Sequence, residues 1–91
     1  MPEQTVKLPN PSGLHARPAK LFAKAASEAD ANVKVSKDGR EVNGESVLSI
    51  LTLDCHQGDE ITISAEGDNA EEAIAELVEM IESGLGEDTG S

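Results

Sequence analysis

Aromatic residues are almost absent from this chain: Phe22 stands alone, with no Trp and no Tyr. Any core must therefore be aliphatic and alanine-rich. No aromatic platform exists on which single-stranded nucleic acid could stack. Basic residues are scarce as well. Seven Lys and Arg face eighteen Asp and Glu, a net charge of −11. Such a surface repels phosphate backbones and anionic lipid head groups, so neither nucleic acid nor a membrane surface is an expected partner. The same excess suits concentrated salt, where a Debye length of roughly 3 Å at 1 M screens self-repulsion. A halophilic source is one reading of it, an ordinary acidic protein the other. Cys55 is the single cysteine, which excludes an internal disulfide. No apolar run approaches the roughly 20 residues that span a bilayer. Met1-Pro2-Glu3-Gln4 has neither the basic nor the apolar stretch of a signal peptide, so the cytoplasm is the expected location.

What is there reads as one small domain over residues 1–84, with 85–91 as a flexible acidic tail. Thr5-Val6-Lys7-Leu8 reads as a short strand, ended by the turn cluster Asn10-Pro11-Ser12-Gly13. From Ala16 to about Ala29, Ala19, Phe22, Ala23 and Ala26 recur at helical spacing. Val33 to Ser36 alternates as a strand. The Asp38-Gly39 pair, tolerant of positive φ, predicts a hairpin returning along Glu41-Val42-Asn43. Ser46 precedes the apolar run Val47–Leu53 as a helix N-cap. Glu60 to Ala65 alternates as a fourth strand. Asn69 is placed to cap a last helix, with Glu71 and Glu72 in its first turn. Ala70, Ala73, Ile74, Leu77, Val78 and Ile81 form the clearest amphipathic stripe in the chain. The order β-α-β-β-α-β-α fits an α+β domain, a mixed or antiparallel sheet with helices on one face.

The chemistry concentrates at Ser12-Gly13-Leu14-His15-Ala16-Arg17-Pro18. A loop runs directly into a helix. With His15 at the N-cap, the free amides of Ala16 and Arg17 and the helix dipole make an anion site. Pro18 suits a first turn, because it has no N–H to leave unpaired. The positive end of the dipole disfavours imidazolium and keeps the His15 ring neutral and nucleophilic. Once that ring holds a phosphoryl group, the same amides stabilise the added charge, and Arg17 supplies a fixed cation. Ser12 can add a hydroxyl, and Gly13 gives the loop freedom to let a partner's phosphate come close. The bland alternative is a surface histidine without a role. The neighbours weigh against it, since a loop glycine, an arginine two residues on and a proline three on serve one purpose.

Ser46 has two readings: a helix cap worth about 0.5–2 kcal/mol, and a phosphorylation site whose charge would meet the dipole's positive end. The run after it carries more apolar surface than a short helix can bury. Val47, Ile50 and Leu53 share one face, which turns Leu48 and Leu51 elsewhere and predicts a docking surface. Cys55-His56 offers two metal-ligand types in a row but no second pair, so no metal or cofactor is expected. Two rival functions stay open on these residues. One is a regulator that docks through Val47, Leu48 and Leu51 and is switched at Ser46. The other is a metal-binding or purely structural acidic protein. Neither needs His15 and Arg17.

With those residues in hand, the chain resembles the HPr family, the histidine-containing phosphocarriers of the phosphoenolpyruvate:sugar phosphotransferase system. Asn10 to Ala19 is similar to the family's active-site signature, and Gln57 to Gly67 to its fourth strand and following turn. The resemblance implies an HPr-like open-faced β-sandwich, four antiparallel strands with three helices on one side. It implies a relay protein rather than an enzyme. Enzyme I, charged by phosphoenolpyruvate, would phosphorylate His15 on Nδ1, and an enzyme IIA-type acceptor would take the group. Arg17 would bind the phosphate, with Ser12 and the Ala16 amide beside it. Leu14, Ala16, Lys20, Val47, Leu48 and Leu51 would form the docking face. Ser46 would match the regulatory serine modified by an HPr kinase. Asp54 stands where the family usually ends its second helix with glycine, and aspartate tolerates that left-handed conformation. A monomer with one docking face is expected. Sugar uptake, dihydroxyacetone phosphorylation and nitrogen regulation are all open as the branch served.

Overall fold

The computed structural model describes residues 2–9, 13, 14, 16–29 and 31–83. Four strands and three helices follow one another as β1 (Glu3–Lys7), α1 (Ala16–Glu28), β2 (Asn32–Lys37), β3 (Arg40–Asn43), α2 (Val47–Leu51), β4 (Glu60–Glu66) and α3 (Ala70–Glu82). The expected order and class hold. The strands form one antiparallel sheet in the order β1-β4-β2-β3. The first strand opens two residues before the expected Thr5, because Glu3 and Gln4 pair with Ser64 and Ile63 of β4.

Alternation sorts the two faces of the sheet. Val6, Val33, Val35, Ile61, Ile63 and Ala65 point inward and are buried. The other face carries Glu3, Thr5, Lys34, Thr62 and Ser64, and a Thr5–Thr62 hydroxyl pair 2.9 Å apart bridges β1 and β4 there. Ser64 is buried on this polar face because both flanking strands, through Glu3 and Lys34, stand directly opposite it.

The helices cover the apolar face. All six stripe residues of α3 are buried, and α1 buries Ala19, Phe22, Ala23 and Ala26. Phe22 fills the space between alanines that let α1 approach the sheet. Burying each large side chain of this kind contributes roughly 1.5–3 kcal/mol. The β2–β3 hairpin turns at Asp38 (φ 52°) and Gly39 (φ 84°), as the residue pair predicts.

One expected cap is corrected. Asn69 sits at the N-cap position of α3 with φ −109° and ψ 26°, and its side chain makes no capping hydrogen bond. A capping side chain needs an extended backbone to aim its oxygen at the second and third amides. Here ψ is far from extended, and the turn before the helix is closed by the Ala70 amide on the Gly67 carbonyl, at 3.3 Å.

Candidate phosphoryl-acceptor site

His15 and Ser12, with Asn10 and Pro11, lie outside the described residues. The structure does describe what surrounds them on both sides. Ala16 opens α1, so residue 15 immediately precedes a 13-residue helix, as the local pattern requires. Arg17 and Lys20 are exposed on the first turns of that helix, and Pro18 is buried.

The chain flanking residues 10–12 rests on the loop that joins α2 to β4. Leu8 donates its amide to the Asp59 carbonyl at 2.9 Å and accepts from the Gly58 amide at 2.8 Å. The Gln57 side-chain amide donates to the Pro9 carbonyl at 3.0 Å. On the far side, the Leu14 amide donates to the Cys55 carbonyl at 3.1 Å. Gly13 has φ 57° and packs so closely on the Cys55–His56 backbone that a Cβ there would overlap it. Gly13 therefore serves a close approach within the chain, a role the sequence reading did not give it.

That supporting loop has its own internal bonds. Asp59 Oδ2 accepts from the His56 amide and from Lys37 Nζ, both at 2.9 Å. The His56 amide first, and Lys37 second, hold the Asp59 carboxyl below the usual aspartate range. The hydrogen bond to Asp59 correspondingly raises Lys37. His56 Nε2 lies 3.0 Å from Asp54 Oδ1. Asp54 takes φ 52°, the left-handed conformation that ends α2. Cys55 is fully buried, and desolvation pushes its thiol up to about 11, so it is neutral at physiological pH. Among the described residues no group of three or more metal-ligating side chains comes together.

The second candidate region is α2. Ser46 is its N-cap, in extended conformation, and its Oγ accepts from the Ser49 amide at 3.3 Å. The far end of α2 is closed by the hairpin. Arg40 Nη1 donates to the Thr52 carbonyl at 3.0 Å, and Lys37 Nζ to the Leu53 and Asp54 carbonyls at 3.4 and 2.8 Å. Two cations thus meet the carbonyl end of a five-residue helix that propensity alone would not sustain.

The apolar run divides as expected except at Leu51, which packs against the core as Val47 does instead of turning away from it. Ile50 and Leu53 enter the core, Val47 and Leu51 are half-buried against it, and Leu48 is 78% exposed. Leu14 is corrected. Its side chain is fully buried in the core, so it offers no surface to a partner. A loop residue between glycine and a helix carries no period from which burial could be read. Leu21 was missed. It is exposed on α1, which packs against α2, and only its place off the Ala19-Phe22-Ala23-Ala26 face could have marked it.

The whole chain has known counterparts. Residues 2–83 match the model of the family described as the PTS HPr component phosphorylation site. A phosphocarrier protein HPr of Borreliella burgdorferi is 42% identical over 72 residues, 79% of this chain and 84% of its own. The crystal structure of HPr-C-His from Thermoanaerobacter tengcongensis superposes with a TM-score of 0.93 at 46% identity, over 97% of this chain and 99% of that one. An HPr dimer structure from the same organism gives a TM-score of 0.76 at 47% identity, over 96% and 100%.

Proposed function

Because this chain belongs to the HPr family of phosphotransferase-system phosphocarriers, we propose that it accepts a phosphoryl group on His15 from phosphorylated enzyme I and passes it to an enzyme IIA-type acceptor. The observation that carries this reading is the family match over residues 2–83, which takes in Gly13-Leu14-His15-Ala16-Arg17-Pro18 at the head of α1.

The chemistry asks little covalent work of the protein. A neutral His15 Nδ1 attacks phosphorus as the bond between phosphorus and the donor breaks; in a second displacement a nucleophile of the acceptor attacks the same phosphorus, the Nδ1–P bond breaks, and His15 returns to its free form. Positioning and charge stabilisation do the rest. The first amides of α1 and the exposed Arg17 face the added charge, with Ser12 as a further donor. These groups stabilise the bound phosphate only moderately, so it stays transferable. Exposed Leu48 and Lys20 and half-buried Val47 and Leu51 make up the partner-facing surface of this reading, which the family resemblance extends to Ala16.

Ser46 serves this reading as a regulatory site for an HPr kinase, served from a position where its Oγ already lies against the Ser49 amide. The relay works as a monomer in the cytoplasm, in sugar uptake or dihydroxyacetone phosphorylation. Its acidic surface is an adaptation to salt. Among the described residues no helix is long and apolar enough to cross a membrane.

The test is incubation with phosphoenolpyruvate and a matched enzyme I at low and high salt, read by intact mass and ³¹P NMR, with His15→Ala in parallel. One acid-labile phosphoryl group, absent from the variant, is the expected result. An uncharged wild type, beside another carrier that the same enzyme I does charge, overturns the proposal.

A further inference from the structure

Within the loop beneath the site, the Asp59 carboxylate joins two donors from different parts of the chain. Asp59 Oδ2 takes two hydrogen bonds at 2.9 Å, from the His56 amide and from Lys37 Nζ, and the side chains of Lys37 and Asp59 are only 16% and 33% exposed. Each bond has a charged partner, and such bonds are shorter and stronger than neutral ones. The two donors lead in different directions. His56 follows Cys55, whose carbonyl holds the Leu14 amide at 3.1 Å, one residue before His15. Lys37 also donates to the Leu53 and Asp54 carbonyls at the end of α2. One carboxylate oxygen therefore stands between the backbone that holds Leu14, the residue before His15 in sequence, and the helix that presents Leu48.

We infer that Asp59, acting with Lys37, is a positioning residue for phosphoryl transfer: it fixes the 54–59 loop so that Gly13 and Leu14 present His15 in transfer geometry relative to the α2 surface. The inference rests on the phosphocarrier reading. Asp59 touches no reacting atom. It acts through the His56 amide, the Cys55 carbonyl and the Leu14 amide. Transfer needs the attacking nitrogen in line with the donor phosphorus, and small misplacements are costly, whereas docking on exposed side chains of α2 tolerates them. Loss of Asp59 should therefore depress the transfer step more than encounter.

The experiment is single-turnover transfer from pre-phosphorylated enzyme I to the full chain, comparing wild type, Asp59→Ala, Asp59→Asn and Lys37→Met. It yields a maximal rate and a half-saturating concentration for each. Amide exchange at Leu14, measured on the uncharged proteins, accompanies it. Asp59→Ala is expected to lower the maximal rate roughly tenfold or more, and to leave the half-saturating concentration within about twofold. Leu14 exchange should accelerate. Asp59→Asn keeps an acceptor for the His56 amide and should recover most of the rate. Lys37→Met, which keeps the aliphatic stem, should lower the rate in the same sense and decides the matter if Asp59→Ala does not fold. A charged wild type together with a folded Asp59→Ala of unchanged maximal rate overturns this inference alone, even where its melting temperature drops. A wild type that enzyme I never charges overturns the phosphocarrier reading and this inference with it.

Discussion

Gly13 lies directly on the backbone of Cys55, with the amide of the next residue, Leu14, bonded to the Cys55 carbonyl at 3.1 Å. The contact spans the sequence from the acceptor loop to the loop before β4. A Cβ at Gly13 would stand 2.7 Å from His56 Cα, and φ is 57°. Gly13→Ala is therefore expected to destabilise by about 1–2 kcal/mol from the left-handed conformation, with further loss because rigid backbone must move. Urea unfolding gives the magnitude, and Leu14 amide exchange shows whether the opening is local.

Ser46 separates capping from signalling. Ser46→Ala removes the oxygen that holds the Ser49 amide and should cost about 0.5–2 kcal/mol, whereas Ser46→Asp retains a good cap. Equal unfolding midpoints for alanine and aspartate variants would contradict a capping role for this side chain.

The α2 run divides between stability and recognition. Leu48 is 78% exposed, so Leu48→Ala should change stability by no more than about 0.5 kcal/mol. The same change should raise the half-saturating concentration for transfer from enzyme I. Its neighbour Ile50 is fully buried, and Ile50→Ala should cost about 2–5 kcal/mol. Thermal melts beside transfer kinetics separate the two effects.

Cys55 should make stability fall in alkali. An unfolded cysteine ionises near pH 8.5, while burial holds the folded thiol at about 11. Between those values the unfolded chain binds fewer protons than the folded one, so this group's contribution to stability declines as pH rises. Cys55→Ala should flatten that slope in urea titrations at pH 8 to 10.5. In the native protein at pH 8 the thiol should resist iodoacetamide, and in urea it should react.

Much of this architecture was legible because the signals are local. The α3 stripe repeats at the helical period and all six of its residues are buried, and Asp38-Gly39 turns the hairpin for the reason its residues suggest. The acceptor segment is read from consecutive residues, and Ala16 opens α1 as that reading requires. The support for the segment was not legible. Backbone bonds of Leu8 and Leu14 with residues 55–59 carry no residue-type signature, the Gln57 side chain that donates to the Pro9 carbonyl has no neighbour in sequence to suggest it, and Cys55-His56 looked incidental. Nothing in the sequence around Asp38-Gly39 marks the flanking Lys37 and Arg40 as the residues that close α2. Asn69 has the residue type of a cap, and the backbone of its turn denies it that geometry.

The strand order also sets when the molecule can form. In β1-β4-β2-β3 one of the two interior positions belongs to β4, the last strand in sequence, and β1 has no other neighbour in the sheet. Until residue 66 leaves a ribosome, only the β2–β3 hairpin can pair, and β1 waits for a partner more than fifty residues downstream. Closing so long a loop precedes any reward from its contacts. Closure of the sheet is thereby deferred until β4 is free, and Leu8, Pro9, Gly13 and Leu14 meet residues 55–59 at the same late moment.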